Sequence, residues 1–247
     1  MLSMIFVIDS FVLFWIIGLD LAKYCFYPKY FCFNPKIKKM KAQRQHWENV
    51  YHTKTFENVS WFQPVPETSI LFFEEMNLPK NAQIIDVGAG ESHFVDYLLK
   101  KGYTNLTLVD ISKNALKKTR KRLGKLGKTI EYIVADVGSF VPNQQYDFWH
   151  DRATFHFLTE QNQIEHYTQN LQNFLRPNGY FLIGTFTEDG PIKCSGLEVK
   201  QYSENTLSEL LSKFLHKIKC QNFEHLTPFD TLQKFIFCQF QMRELNF

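Results

Sequence analysis

The chain has 247 residues, 45% apolar and 21% charged, which suits one globular domain with a core that needs no staples and excludes a disordered protein. Five cysteines (Cys25, Cys32, Cys194, Cys220, Cys238) make an odd number with no C-x-x-C pair, so neither a disulfide framework nor a metal site is expected, and a reducing, cytoplasmic compartment is. The formal charge of +3 hides two acid-free basic runs, five cations in residues 36–44 and eight in residues 113–128. They read as solvated faces, with nucleic acid or an acidic protein as the competing and less favoured partner.

Met4–Ala22 is strongly apolar but is interrupted by Asp9 and Asp20, and its longest clean run, Phe11–Leu19, falls short of the roughly 20 residues that span a bilayer. No basic leader or A-x-A site marks a cleaved signal peptide. Residues 1–39 are therefore expected to be an apolar extension ahead of a domain over 40–247, since Met40 opens a plausible start. The competing reading is a membrane anchor through residues 4–22, with the lysines after it holding the domain in the cytoplasm.

From Gln83 onward, short apolar runs rich in β-formers alternate with helical patterns. Ala82–Val87 reads as a strand and Ser92–Lys101 as a helix burying Phe94, Val95, Leu98 and Leu99. Leu106–Asp110 is the next strand, followed by the basic helix Lys113–Leu123. Ile130–Ala135 and Tyr146–His150 are strands three and four. A helix capped by Thr159 carries the stripe Ile164, Tyr167, Leu171 and Phe174, and Arg176-Pro177-Asn178-Gly179 ends it. Tyr180–Phe186 is a fifth strand. After a helix near Asn205–Leu215, His216–Phe223 and Phe235–Phe240 read as two strands with a short connection, hence an antiparallel edge. Strands separated by helices imply parallel β-α-β units in a doubly wound α/β sheet.

Ile84-Ile85-Asp86-Val87-Gly88-Ala89-Gly90 ends a strand in a carboxylate and two glycines before a helix. Ligands of open parallel sheets bind beyond such strand ends, where glycines let a ligand approach the main chain and a helix N-terminus offers free N–H groups. Asp110 closes the next strand 20 residues after Gly90, the distance at which a carboxylate takes the hydroxyls of a ribose. A dinucleotide site favours a third glycine, where His93 stands, and Asp86 would face a pyrophosphate with the wrong sign. A carboxylate suits a ligand carrying an ammonium group, such as S-adenosylmethionine. A nicotinamide-dependent oxidoreductase and a non-catalytic cofactor-binding partner protein stay open as alternatives.

Asp86-Val-Gly88-Ala-Gly90, then Asp110, then Asp136-Val137 resemble the cofactor set of class I S-adenosylmethionine-dependent methyltransferases over roughly Gln45–Phe240. The resemblance implies a Rossmann-like, mostly parallel seven-stranded sheet with an antiparallel edge strand. It implies that Gly88 and Gly90 make room for the methionine part, Asp110 holds the ribose, and Asp136 with the Val137 N–H reads the adenine. Ser92 stands where that family usually has a third glycine. His46–Tyr51 and Ser60–Gln63 resemble the N-terminal lid of such enzymes, with Trp61 and Phe62 expected over the cofactor or in plain packing.

Tyr146–Phe157 holds W-x-D-R-A, which resembles segments of small-molecule thiol methyltransferases and of protein-lysine methyltransferases. Asp151 is expected either to orient or neutralise an incoming amine or to form a salt bridge with Arg152 or a nearby lysine. His150 or His156 is expected either to remove a proton or to be a structural, hydrogen-bonded residue. The loop from Gly184 through Gly190-Pro191 to Leu197 is expected to shape the acceptor side, with Cys194 an inert thiol. The expected function is methyl transfer to a protein lysine or a small molecule, by a monomer.

Overall fold

The computed structural model describes residues 35–244. The chain divides into two compact units, Met1–Lys41 and Ala42–Phe247; the described part of the first is the opening of a helix. The apolar stretch 4–22 lies outside the described residues. Among those described, no helix is long and apolar enough to cross a membrane.

Helices α1 (Pro35–Thr53) and α2 (Glu67–Glu75) precede the sheet. Then follow β1 (Ile84–Val87), α3 (Phe94–Lys100), β2 (Leu106–Asp110), α4 (Lys113–Leu123), β3 (Glu131–Val134), β4 (Tyr146–Arg152), α5 (Gln161–Phe174) and β5 (Leu175–Phe186). A two-residue hairpin, β6 (Lys193–Cys194) and β7 (Leu197–Glu198), leads to α6 (Glu204–Leu211), β8 (Leu215–Leu226) and β9 (Leu232–Met242).

The sheet has seven strands in the order β3-β2-β1-β4-β5-β9-β8. The first five are parallel; β9 runs antiparallel to β5, and β8 to β9. This is the α/β sheet with an antiparallel edge read from the alternation of apolar runs. The strand order reverses between β1 and β4, where a crevice opens above the carboxyl ends.

Period-two alternation sends neighbouring residues to opposite faces. Ile84, Leu108, Phe148 and Leu182 join the core with α2, α3 and α4. Ile85, Val109, Trp149 and Phe181 join the one with α5 and α6. Both faces are covered, so the parallel strands read as unbroken apolar runs.

Three elements differ from expectation. β5 begins at Leu175, and Arg176-Pro177-Asn178-Gly179 forms an irregularity inside it, with Asn178 at φ 62° and a register shift opposite Tyr146 and Phe148. Ser195 and Gly196, both at positive φ, close the β6–β7 hairpin as a two-residue turn. Cys220 and Cys238 are joined by a disulfide, against the expectation from cysteine count. Strand pairing rather than spacing brings them together: they lie directly opposite on β8 and β9 with Cα atoms 4.1 Å apart.

Candidate active site

A cavity of about 890 Å³, open mouth included, sits at the crevice and is lined by the ends of β1 to β4 together with α1. Asp86 lies on its floor, 3% exposed, and pairs in register with His150. His150 Nδ1 donates to Asp86 Oδ1 at 2.7 Å, and its Nε2 stands 2.9 Å from Ser69 Oγ in α2. With Phe94 against the ring at 4.4 Å, the imidazole is fixed on three sides. Asp86 Oδ2 is buried with no partner. Such an oxygen is costly unless something binds it.

Gly88 and Gly90 adopt φ of 66° and 53°. A Cβ on Gly88 would lie 1.6 Å from Thr154 Oγ1, and one on Gly90 would lie 2.5 Å from the Tyr51 hydroxyl. The bare backbone at both positions is thus a requirement of the site. Asp110, 4% exposed, accepts from Gly90 N at 2.9 Å and from Ser112 N at 2.7 Å. Burial raises its carboxyl to about 7, although these N–H groups oppose the shift. Asp136 turns Oδ1 to Gly138 N at 2.8 Å and keeps Oδ2 unpartnered, beside Val137 on the cavity wall. Ser92, in place of a glycine, accepts from Phe94 N at 3.2 Å and opens α3.

The structure does not bring all the expected residues together. Asp151, expected at the acceptor, is fully buried but absent from the cavity wall. Its Oδ2 accepts from Tyr167 Oη at 2.7 Å and its Oδ1 from the Phe155 and Thr154 N–H groups at 3.0 and 3.2 Å, while Trp149 Nε1 donates to Tyr167 Oη at 3.0 Å. The reason is the strand period: Trp149 and Asp151 face α5, whereas His150 and Arg152 face the cavity.

His156 is also off the wall, fully buried and stacked on Phe186 at 4.5 Å. Burial and Arg152 push its imidazole down to about 3, so it is neutral at pH 7 and takes up no proton there. Phe62 packs on Phe56 at 4.9 Å, outside the cavity; Trp61 alone of the expected pair lines it.

Further residues complete the wall. Trp47 and Tyr51 reach the wall from α1, with Trp47 edge-on to Trp61 at 5.6 Å. Glu48 accepts from Ser112 Oγ, Lys113 N and Asn114 N at 3.0, 2.7 and 3.1 Å, so a residue of α1 caps α4. Arg152 lines the cavity and donates from Nη2 to Trp61 O at 3.0 Å. Ala153 holds φ 61°, a strained conformation for a residue with a Cβ, at the mouth of β4. Cys194 lines the far wall, and burial raises its thiol to about 11. Among the described residues no group of His, Cys, Asp or Glu is arranged to hold a metal ion.

A family model described as a methyltransferase domain matches residues 78–234. EEF1A lysine methyltransferase 2 of Danio rerio is 29% identical over 155 residues, covering 57% of this chain and 66% of that protein. Malonyl-[acyl-carrier protein] O-methyltransferase 2 of Ilyobacter polytropus is 28% identical over 107 residues, 43% of this chain and 40% of that one. The chain thus spans less than two thirds of the length of these relatives. Among solved structures, 1,6-didemethyltoxoflavin-N1-methyltransferase of Burkholderia thailandensis superposes with a TM-score of 0.61 at 19% identity, over 84% of this chain and 90% of that one. The N-methyltransferase NodS of Bradyrhizobium japonicum, in complex with S-adenosyl-L-homocysteine, gives 0.61 at 14% identity, over 80% and 98%. With a matched segment running from before β1 into β9, the chain belongs to the methyltransferase domain family and has the class I fold of the S-adenosylmethionine-dependent enzymes.

Proposed function

We propose that the cavity binds S-adenosylmethionine and transfers its methyl group to an acceptor that enters beside Trp61, Phe157 and Cys194. The observation that carries this is the unpartnered, buried Oδ2 of Asp86 beside the bare backbone of Gly88. A cationic ammonium satisfies that oxygen; the pyrophosphate of a dinucleotide would be repelled by it. Each Asp110 oxygen has one N–H donor and a spare lone pair for a ribose hydroxyl. The unpartnered Asp136 Oδ2 suits the amino group of an adenine.

When bound, S-adenosylmethionine supplies a methyl carbon on a cationic sulfur, which an acceptor lone pair displaces in line while the bonding pair stays on sulfur. What remains for the protein is positioning and exclusion of water. His150 holds the Asp86 carboxylate, and the Trp47, Tyr51 and Trp61 rings roof the site. On this reading His150 is a positioning residue, because both ring nitrogens are engaged away from any acceptor.

The test is calorimetry. S-adenosylhomocysteine is expected to bind and NAD is not, and Asp110→Ala is expected to cost roughly 1.5–3 kcal/mol of binding, the scale of hydrogen bonds to a charged group. Binding of NAD with none of S-adenosylhomocysteine would sink the reading.

A further inference from the structure

Residues 113–128 carry eight cations and no acid, and the fold shows which of them are engaged. Lys118 pairs with Glu91 at 3.0 Å and Arg122 with Asp96 at 2.7 Å, while Arg120 lies over the Tyr132 ring at 5.2 Å. Five lysines remain: Lys113, Lys117 and Lys121 in α4, and Lys125 and Lys128 in the turn that follows. All five are exposed, and no carboxylate among the described residues is in ion-pair contact with any of them. Glu48, which meets the first turn of α4, gives its carboxylate to the N–H groups and the Ser112 hydroxyl there.

Positions 113, 117 and 121 are four apart and so form one row, about 6 Å from each to the next along the helix axis. The row lies on the side away from Ala115, Leu116, Thr119 and Leu123, which are buried. Nothing inside the fold offsets this arrangement. Like charges four apart repel along a helix, and a cation in the first turn opposes the helix dipole. Lys113 stands in that turn, which holds no acid. Leu126 is a second, independent observation. It is 66% exposed between Lys125 and Lys128 and belongs to no apolar cluster of the described core.

We propose that this face docks on an anionic phospholipid bilayer, with the lysines on the headgroups and Leu126 entering the interface. A row of ammonium groups is drawn to a plane of negative charge, and an apolar side chain among them strengthens binding by leaving water for the acyl boundary. A nucleic-acid backbone would give Leu126 nothing to contact. It is also best gripped by guanidinium forks, and both arginines of the run are engaged within the fold, Arg122 on the Glu91 and Ser92 carbonyls as well as on Asp96. No aromatic side chain stands in residues 113–128 to stack on a base. None of the five lysines lines the cavity, and the proposal does not depend on the methyl-transfer reading.

The test is vesicle sedimentation of the full chain. Partition onto phosphatidylcholine vesicles holding about one third phosphatidylserine is expected to exceed partition onto phosphatidylcholine alone at least tenfold, and about 0.5 M salt is expected to remove the difference. Partition driven by the apolar stretch 4–22 is common to both vesicles and drops out of that ratio. The triple variant Lys117→Gln, Lys121→Gln, Lys125→Gln is expected to bring the ratio within threefold, and Leu126→Ser to weaken binding to the anionic vesicle at least threefold. Both are expected to match or exceed the urea midpoint of the unaltered chain, which shows that they fold.

Equal partition onto the two vesicles, or a difference that salt does not reduce, overturns the proposal. So does a triple variant that keeps the full ratio, since the cations of residues 36–44 would then be responsible. Tighter binding to polyuridylate than to the anionic vesicle, unchanged in Leu126→Ser, would make this a nucleic-acid surface and overturn it as well.

Discussion

Asp110 makes the sharpest demand on pH. Its folded carboxyl is raised by burial to about 7, against 3.8 ordinarily. Between those values the folded chain holds a proton that the unfolded chain has released. Its contribution to stability is therefore greatest below about pH 4 and is lost as pH rises to 7. Ligand binding runs the other way, because a diol donates to the ionised form. Affinity for S-adenosylhomocysteine is expected to fall about tenfold from pH 8 to pH 6, with proton release on binding near pH 7. Calorimetry in buffers of differing ionisation enthalpy measures both, and a flat profile shared with Asp110→Asn would contradict the assignment. The acids at the strand ends were legible because a carboxylate after an apolar run has few other reasons to be there. The place of Arg152 was less so, since only the pairing of β4 with β1 brings its end to the cavity wall.

At the scale of the element, β4 shows where sequence reasoning lost its way. Of the cluster Tyr146–Phe157, only His150, Arg152, Ala153, Thr154 and Phe157 line the cavity, because one step along a strand turns a side chain to the other face. Asp151 serves the joint between β4, the turn after it and α5, through Tyr167 and two backbone N–H groups. Tyr167→Phe removes a donor to Asp151 and the acceptor of Trp149 Nε1. It is expected to lower stability by about 1–3 kcal/mol while leaving S-adenosylhomocysteine affinity within threefold. Urea denaturation and calorimetry separate the two. Unchanged stability with lost binding would return Asp151 to the active site. The β5 irregularity and the β8–β9 disulfide were invisible for a related reason: both arise from which strands lie opposite one another, and local spacing carries no record of that.

For the whole molecule, the order of strands was readable from alternation, and the switch point between β1 and β4 followed from it. Trp47 and Tyr51 belong to α1, and a chain beginning at Met40 keeps both, with most of that helix. It is expected to fold and to bind S-adenosylhomocysteine within threefold of the full chain; loss of binding, seen by calorimetry, would make residues 1–39 part of the working domain. The Glu48 cap has a wider effect. Ser112 gives its hydroxyl to Glu48 and its N–H to Asp110, so the covering helix and the carboxylate proposed for the ribose share one residue. Filling the cavity and seating the helix are then two sides of one thermodynamic cycle, and reciprocity requires each to strengthen the other by the same factor. Ligand is expected to slow amide hydrogen exchange along residues 45–53 as well as in the cavity walls, and Glu48→Gln to lessen that protection. The cavity's entrance would thus be guarded by occupancy itself, with residence of the bound ligand setting how long the door stays shut.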